Sequence, residues 1–269
     1  MTHKALLDVA LLAAEAAGIV IREGALTLDK LQWENKGVAD FVTDVDRRAE
    51  HAITDVIHRY FPNSPIIGEE LTPHTELASS GVAFFVDPLD GTTNFLHGYQ
   101  EYSVSIGVAE SGVLVAAVVT NCASGEIFTA QRGGGTFRDG KPVNVSTITE
   151  PERALVGTGF PFKRKDLLDT YARQFVSVSR ETAGIRRAGS AALDLANVAC
   201  GRFDAFWELD LAPWDIAAGL LLVREAGGVI TDTTGRAKTP SFGAVVAGNP
   251  DLHRWLLSEV AGDISPSTS

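Results

Sequence analysis

The spacing of apolar positions changes several times along the chain, and each change marks an element. Over residues 4–23 apolar and polar side chains recur at helical spacing and stop at Gly24, which predicts an amphipathic helix. DFVTDVDRRAEHAITDVIHRYFPNS reads as a short strand or turn and then a second amphipathic helix, with Thr43 or Asp44 as its cap and Pro62 as its stop. Two short apolar runs of strand type follow: PII, which leads into Gly68, Glu69 and Glu70, and AFFV, which leads into Asp87, Pro88, Leu89 and Asp90. SVSIGVAESGVLVAAVVTN is two β-rich runs joined at Ser111-Gly112, a hairpin. EIFTAQRGGGTFRDGKPVNVS continues as strands around glycine-rich turns. Its triple glycine, residues 133–135, is followed by neither a helix pattern nor Lys-Ser/Thr, so it reads as a hairpin turn and not a phosphate loop.

Near Glu150 the texture changes to alternating strands and helices. ALVGTGF is strand-like, and KDLLDTYARQFVSVSRE is helical. GSAALDLANVACG is a helix capped by Ser190 and ended by Gly201. FDAFWEL is a strand, and WDIAAGLLLVREAGG is a helix with a Gly-Gly stop. VITD and AVVAG are short strands, PDLHRWLLSEVAG is a last helix, and DISPSTS is a tail expected to fray. The expected organisation is an N-terminal α+β half, residues 1–148, and a C-terminal α/β half, residues 149–269, packed as one unit with a cleft between them.

At 269 residues and 45% hydrophobic, the chain can bury a sizeable core. Its net charge of -11 repels nucleic acid, which is therefore not expected as a partner. It repels a small phosphate ester as well, unless bound cations invert the local field. Cys122 and Cys200 stand far apart and read as free thiols, which fits a reducing compartment. No apolar run reaches the ~18 residues of a membrane span, and Asp8 and Glu15 interrupt the N-terminal apolar stretch. The expectation is a soluble cytoplasmic protein without a membrane partner.

Acids stand where elements begin or end: Asp44 and Asp46 at the second helix, Glu69 and Glu70 after PII, Asp87 and Asp90 after AFFV, and Asp215 in the first turn of its helix. Alone, each has an ordinary structural explanation as a cap, a turn residue or a solvated acid. Together they would repel one another and resist ionisation unless hard divalent cations lay among them. Mg²⁺ takes oxygen ligands and keeps waters for a substrate to replace. In DPLD, the Pro88 ring fixes one φ angle, and the turn can present both acids and the Leu89 carbonyl to one side. Gly91-Thr92-Thr93 then offers backbone N–H groups at the start of a short helix.

DPLDGTTNFLHG and WDIAAGLLLVREAGG resemble the two motifs of the inositol monophosphatase family of Mg²⁺-dependent, lithium-sensitive phosphatases. The resemblance runs through KGVADFVTDVD, IIGEE, TGFPF, RRAGSAALDLA and VVAGNP, from about residue 5 to 260. It implies a layered αβαβα sandwich, two to three Mg²⁺ per subunit, and a homodimer. It also implies that inositol 1-phosphate, or another small phosphorylated polyol, is hydrolysed by in-line attack of a metal-activated water. By the same resemblance Glu69, Asp87 and the Leu89 carbonyl hold the first metal, and Asp87, Asp90 and Asp215 the second. Asp46 with Thr92 orients and deprotonates the water, Asp44 being the rival, and Glu70 supports them. Asp90, Gly91, Thr92, Gly189, Ser190, Ala191 and Glu208 meet the substrate, with Arg187 beside them. Glu208 also has a plain reading as an acid at a strand end, and Arg187 as a surface arginine. Lys163, Arg164 and Lys165 keep open esters with a second charged group: fructose 1,6-bisphosphate, histidinol phosphate or 3′-phosphoadenosine 5′-phosphate. A regulatory protein that binds partners without catalysis is the reading of another class.

Overall fold

The structure is a computed structural model that describes residues 2–28, 33–37, 40–75 and 80–261; the side chains of 33–42 and the expected fraying of 263–269 lie outside what it describes. In the first half the elements are α1 (His3–Ala25), β1 (Trp33–Gly37), β2 (Asp40–Thr43), α2 (Asp44–Tyr60), β3 (Ile66–Gly68), β4 (Val82–Asp90), α3 (Thr92–Leu96), β5 (Ser103–Glu110), β6 (Val113–Asn121), β7 (Ile127–Gln131), β8 (Gly135–Arg138) and β9 (Lys141–Val143). In the second they are β10 (Leu155–Thr158), α4 (Leu168–Glu181), β11 (Gly184–Arg186), α5 (Ala191–Ala199), β12 (Ala205–Leu211), α6 (Pro213–Glu225), β13 (Val229–Thr231), β14 (Gly243–Gly248) and α7 (Pro250–Val260). Among the described residues no helix is long and apolar enough to cross a membrane.

β3 to β9 form one seven-stranded sheet in chain order, antiparallel except for the β3–β4 pair. A second sheet of five strands runs β11-β10-β12-β14-β13, and β1 and β2 pair as a separate antiparallel ribbon. The apolar residues sort into three cores. Leu6, Ile21, Ile53 and Ile57 of α1 and α2 pack on one face of the first sheet. α5 and α6 lie between the two sheets, and Leu195, Leu220 and Leu222 meet Phe85 and Val119 of the first sheet and Phe206 and Val245 of the second. α4 and α7 cover the outer face of the second sheet, with Tyr171, Leu252 and Leu256 around Trp207. The result is a five-layer αβαβα sandwich. The layering explains why β4 and β6 carry continuous apolar runs, VAFFV and VLVAAVV, and why Ser103, Ser105 and Gly107 of β5 are buried along with its apolar residues, since both faces of those strands are covered.

Turn chemistry follows the sequence. Ser111 and Gly112 both adopt positive φ, 50° and 77°, which a two-residue hairpin needs. The triple glycine joins β7 to β8, and the Glu225 carboxylate accepts from the Gly133 and Gly135 N–H groups at 2.9 and 3.1 Å, so an acid of the protein itself occupies those amides. Strand β11 carries no alternation over its three residues and was invisible to periodicity. One close approach sets the position of the next layer. A Cβ on Gly107 would lie 2.7 Å from Ala217 Cβ, so α6 rides directly on the backbone of β5 and delivers its first turn to the sheet's end.

Candidate active site

β4 does not end as a plain strand. Asp87 pairs with Ser105 and Asp90 with Ser103, so three steps on β4 face two on β5. This bulge contains Pro88 and Leu89 and re-aims the side chains on either side of it. Leu89 N–H donates to Asp87 Oδ1 at 3.0 Å, which fixes that carboxylate. Gly91 follows with φ +94°, and a Cβ there would sit 2.9 Å from the Glu101 carbonyl, so only glycine makes the turn into α3. The expected short helix is present but spans five residues, little more than a turn, which leaves it a weak dipole.

Thr43 caps α2, and Asp46 completes the capping box by accepting the Thr43 N–H at 2.9 Å. Asp46 is buried, and its other oxygen accepts from the Thr92 hydroxyl at 3.0 Å. That hydroxyl also lies 3.1 Å from the Leu89 carbonyl, so two acceptors compete for one proton. Asp44, the rival, faces solvent and pairs with Arg48 at 3.6 Å. Ser190 caps α5, and its hydroxyl donates to Asp90 Oδ2 at 2.6 Å, beside the Ala192 N–H at 2.8 Å. Asp215 is the third residue of α6 and not its cap; it accepts from the Ala212 N–H at 2.7 Å and opens toward the same pocket.

That pocket has a volume of about 360 Å³ and takes its wall from both halves of the chain. Glu69, Asp87, Asp90 and Asp215 line it, with Leu89, Gly91 and Thr92. So do Gly189, Ser190, Ala191, Glu208 and Arg187. Asp46 reaches it through Thr92. Glu70 stands next to Glu69, its N–H bound to Glu50 Oε2 at 2.7 Å, and does not line the pocket. Of the basic triplet, Lys163 lines the pocket, whereas Arg164 turns to Asp166 at 2.7 Å.

Burial and mutual repulsion govern the electrostatics. Burial raises the Asp87 carboxyl well above the usual range, and the charges of Glu69, Asp90 and Asp215 raise it further. Asp90 is pushed up to about 6, mainly by burial, with the Ser190 and Ala192 hydrogen bonds opposing. Asp215 is pushed up to about 8 by burial and then by Glu69 and Asp90, while Lys163 offsets part of this. Asp46 is raised by burial and held down by its bonds to Thr43 and Thr92. Among the described residues no three such side chains are already drawn into the tight geometry of a metal cage. The four acids nevertheless face one pocket and bear on one another's ionisation. A set of hard oxygen donors whose charges repel fits Mg²⁺, which neutralises them when bound.

Glu208 is no surface acid. It stands in the pocket wall in the middle of β12, opposite Val245 of β14, and not at a strand end, and it is pushed up to about 8 by burial and then by Asp215, with Arg187 opposing. The Arg187 guanidinium lies over the rings of Phe160 and Phe162, 5.3 and 4.9 Å from their centroids.

Several residues that shape the pocket escaped sequence reasoning. Glu50, fully buried, accepts from Glu70 and Leu71 N–H at 2.7 and 3.1 Å and so ties down the segment that carries Glu69. Its signal was an acid on the apolar stripe of α2. Asn94 donates to the Glu101 and Ala188 carbonyls at 2.6 and 2.8 Å, joining the first motif to the Gly189 turn. Asp194 is buried under the pocket with Oδ1 unpartnered. It sits one residue from Leu193 and Leu195 in a helix that reads as apolar, so an acid in that run was its only sign.

The sequence profile of the inositol monophosphatase family matches residues 3–265. Nus factor SuhB of Pseudomonas aeruginosa is 44% identical over 266 residues, which cover 97% of this chain and 98% of the relative. Inositol-1-monophosphatase of Rhizobium meliloti is 43% identical over 258 residues, 95% of this chain and 96% of the relative. The crystal structure of the extragenic suppressor protein suhB from Bartonella henselae superposes with a TM-score of 0.89 at 39% identity, covering 97% of this chain and all of that one. A profile match across nearly the whole chain, relatives of this likeness and a matching layered fold lead to one conclusion: the chain belongs to the inositol monophosphatase family.

Proposed function

We propose that the chain is a Mg²⁺-dependent phosphomonoesterase that hydrolyses inositol 1-phosphate to inositol and phosphate. The observation that carries this reading is the meeting of Glu69, Asp87, Asp90 and Asp215 in one pocket, with the Asp46–Thr92 pair at its side. Glu69, Asp87 and the Leu89 carbonyl are assigned to one cation, and Asp87, Asp90 and Asp215 to another. Bound there, Mg²⁺ supplies positive charge for the phosphoryl oxygens and makes water more acidic. The chain's own residues do the rest. Asp46 accepts a proton through, or beside, the Thr92 hydroxyl, and that hydroxyl fixes the line of approach to phosphorus. Glu70 supports Glu69 from the adjoining position. Asp90, gripped by Ser190 and Ala192, keeps its orientation while meeting both cation and substrate. Glu208, with the backbone at Gly189 and Ala191, accepts and donates hydrogen bonds to the alcohol's hydroxyls, and Arg187 balances Glu208. Family membership supports two to three Mg²⁺ per subunit and a homodimer.

A panel of esters tests the substrate: inositol 1-phosphate, fructose 1,6-bisphosphate, histidinol phosphate and 3′-phosphoadenosine 5′-phosphate, each with Mg²⁺ and with EDTA. Inositol 1-phosphate should lead in kcat/KM. A different leading ester would keep the reaction and overturn the substrate.

A second reading has its own observation, since a relative 44% identical carries the name Nus factor. In that reading the chain acts as a binding factor for other macromolecules. Folded protein with no turnover of any ester in the panel would favour it over the first.

A further inference from the structure

Helix α2 carries two acids on its buried face, Asp46 at 1% exposure and Glu50 at 0%. They stand four residues apart, about one turn, and so share that face. Asp46 reaches Thr92 of the first motif. Glu50 reaches a second source of cation ligands. Its Oε2 accepts from the Glu70 N–H at 2.7 Å and its Oε1 from the Leu71 N–H at 3.1 Å, so the two amides that follow Glu69 end on one carboxylate. The N–H of Glu69 itself donates at 3.2 Å to the carbonyl of Val86, the neighbour of Asp87. The backbone at Glu69 is thus held on one side by β4 and on the other by α2.

Room for the Glu50 carboxylate is built into the turn. A Cβ on Gly68 would lie 2.1 Å from Glu50 Oε1 and 3.2 Å from Thr72 Oγ1, and the Gly68 N–H donates to that Thr72 hydroxyl at 3.1 Å. The chain from Gly68 to Thr72 therefore wraps the head of Glu50. A fully buried carboxylate is a costly way to satisfy two amides that water or a backbone carbonyl could meet. What it adds is strength and direction, since charge-assisted hydrogen bonds are shorter and about twice as strong as neutral ones. Direction matters most at Glu69. Asp87 and Asp90 sit in the bulged end of a sheet strand and Asp215 in the first turn of α6, whereas Glu69 stands in the bend that follows β3.

We propose that Glu50 is a positioning residue for the cation site at Glu69. By gripping the Glu70 and Leu71 amides it fixes where the Glu69 carboxylate stands relative to Asp87 and the Leu89 carbonyl, and so sets the affinity for the Mg²⁺ assigned to them. The inference rests on the assignment of Glu69 to a cation.

The test is calorimetric titration of Mg²⁺ into the metal-stripped full chain, wild type against Glu50→Gln, Glu50→Ala and Gly68→Ala, with circular dichroism to show that each is folded. Losing an outer partner of a metal ligand typically costs about 10–100-fold in metal affinity. Glu50→Ala should weaken by that factor the binding step that Glu69→Gln removes, and leave any other step as in wild type. Glu50→Gln keeps the size but turns an NH₂ group toward one of the two amides, so it should weaken the same step by less. Gly68→Ala displaces the Glu50 head while leaving Glu50 in the chain, and combined with Glu50→Ala it should cause no further loss. In steady state the Mg²⁺ concentration for half-maximal phosphate release should rise with the Kd, while KM for inositol 1-phosphate at saturating Mg²⁺ stays as in wild type; a general loosening of the fold would move both. Mg²⁺ bound equally by wild type, Glu50→Gln and Gly68→Ala overturns the inference alone, even where Glu50→Ala does not fold. Equal weakening of every binding step also overturns it. Wild type that binds no Mg²⁺ overturns the cation assignment and the inference together. Calorimetry needs no turnover, so the result stands whichever ester is hydrolysed.

Discussion

Asp90→Asn should make the metal-free protein more stable while it removes activity. The folded protein raises Asp90 from 3.8 to about 6, chiefly by burial. A carboxyl whose folded pKa lies above its unfolded one destabilises the fold when ionised. The cost is absent below the unfolded value, grows through the window between the two, and is complete above pH 6. A rise of that size corresponds to about 3 kcal/mol, and solvent at the half-buried carboxyl reduces it to about 1–3 kcal/mol. Asparagine keeps an acceptor for the Ser190 hydroxyl and the Ala192 N–H, so the cap of α5 survives and only the charge is lost. In a protein of this size each kcal/mol moves Tm by about 2–4 °C. Thermal unfolding in EDTA at pH 8 should therefore show Tm about 2–12 °C higher for Asp90→Asn than for wild type, and the gap should close toward pH 4.5. Mg²⁺ should reverse the order, because a ligand at 100 times its Kd stabilises the state that binds it by about 2.7 kcal/mol. An Asp90→Asn protein less stable than wild type in EDTA at pH 8, or a gap independent of pH, would show that the buried Asp90 charge does not strain the metal-free fold.

Three further outcomes are expected. Asp46→Asn should lower kcat by about 10²–10⁴-fold at saturating Mg²⁺, while Asp44→Asn, whose side chain faces solvent beside Arg48, should leave it little changed; equal losses in a steady-state assay would dissolve the distinction. Gly107→Val should cost about 2–3 kcal/mol by forcing α6 off β5, and an unchanged urea midpoint would show that the layers yield more readily than the 2.7 Å approach implies. Cys122 is buried and its thiol is pushed up to about 12, so a disulfide reagent at pH 8 should modify Cys200 first and Cys122 only on unfolding; rapid modification of both thiols would contradict that.

Elements with a long, consistent period were legible in the sequence. α1, α2, the Ser111-Gly112 hairpin, α5 and α6 stand where the pattern puts them. What escaped was short or depended on distant residues. β11 exists because β10 pairs with it, not because three residues carry a signal. The acids of the first motif could be read because they sit within four residues of one another, and a bulge turns that proximity into a shared direction. Asp44 and Asp46 were separable only in part from sequence. The structure distinguishes them by the N3 position of the capping box, which draws Asp46 inward to Thr92 and leaves Asp44 in solvent. Glu50, Asp194 and Phe242 belong to the pocket or its supports through contacts made across layers, and no local pattern encodes such contacts.

Phosphate release from inositol 1-phosphate, followed as Mg²⁺ is titrated into metal-stripped wild type and Asp215→Asn side by side, tests whether the pocket's acids hold catalytic cations. If the four acids of the pocket hold the cations that do the chemistry, release rises from near zero with Mg²⁺ in wild type. In Asp215→Asn it stays lower by orders of magnitude at every concentration. Release that proceeds equally in EDTA, or that is the same in both proteins, would mean that these acids do not hold catalytic cations.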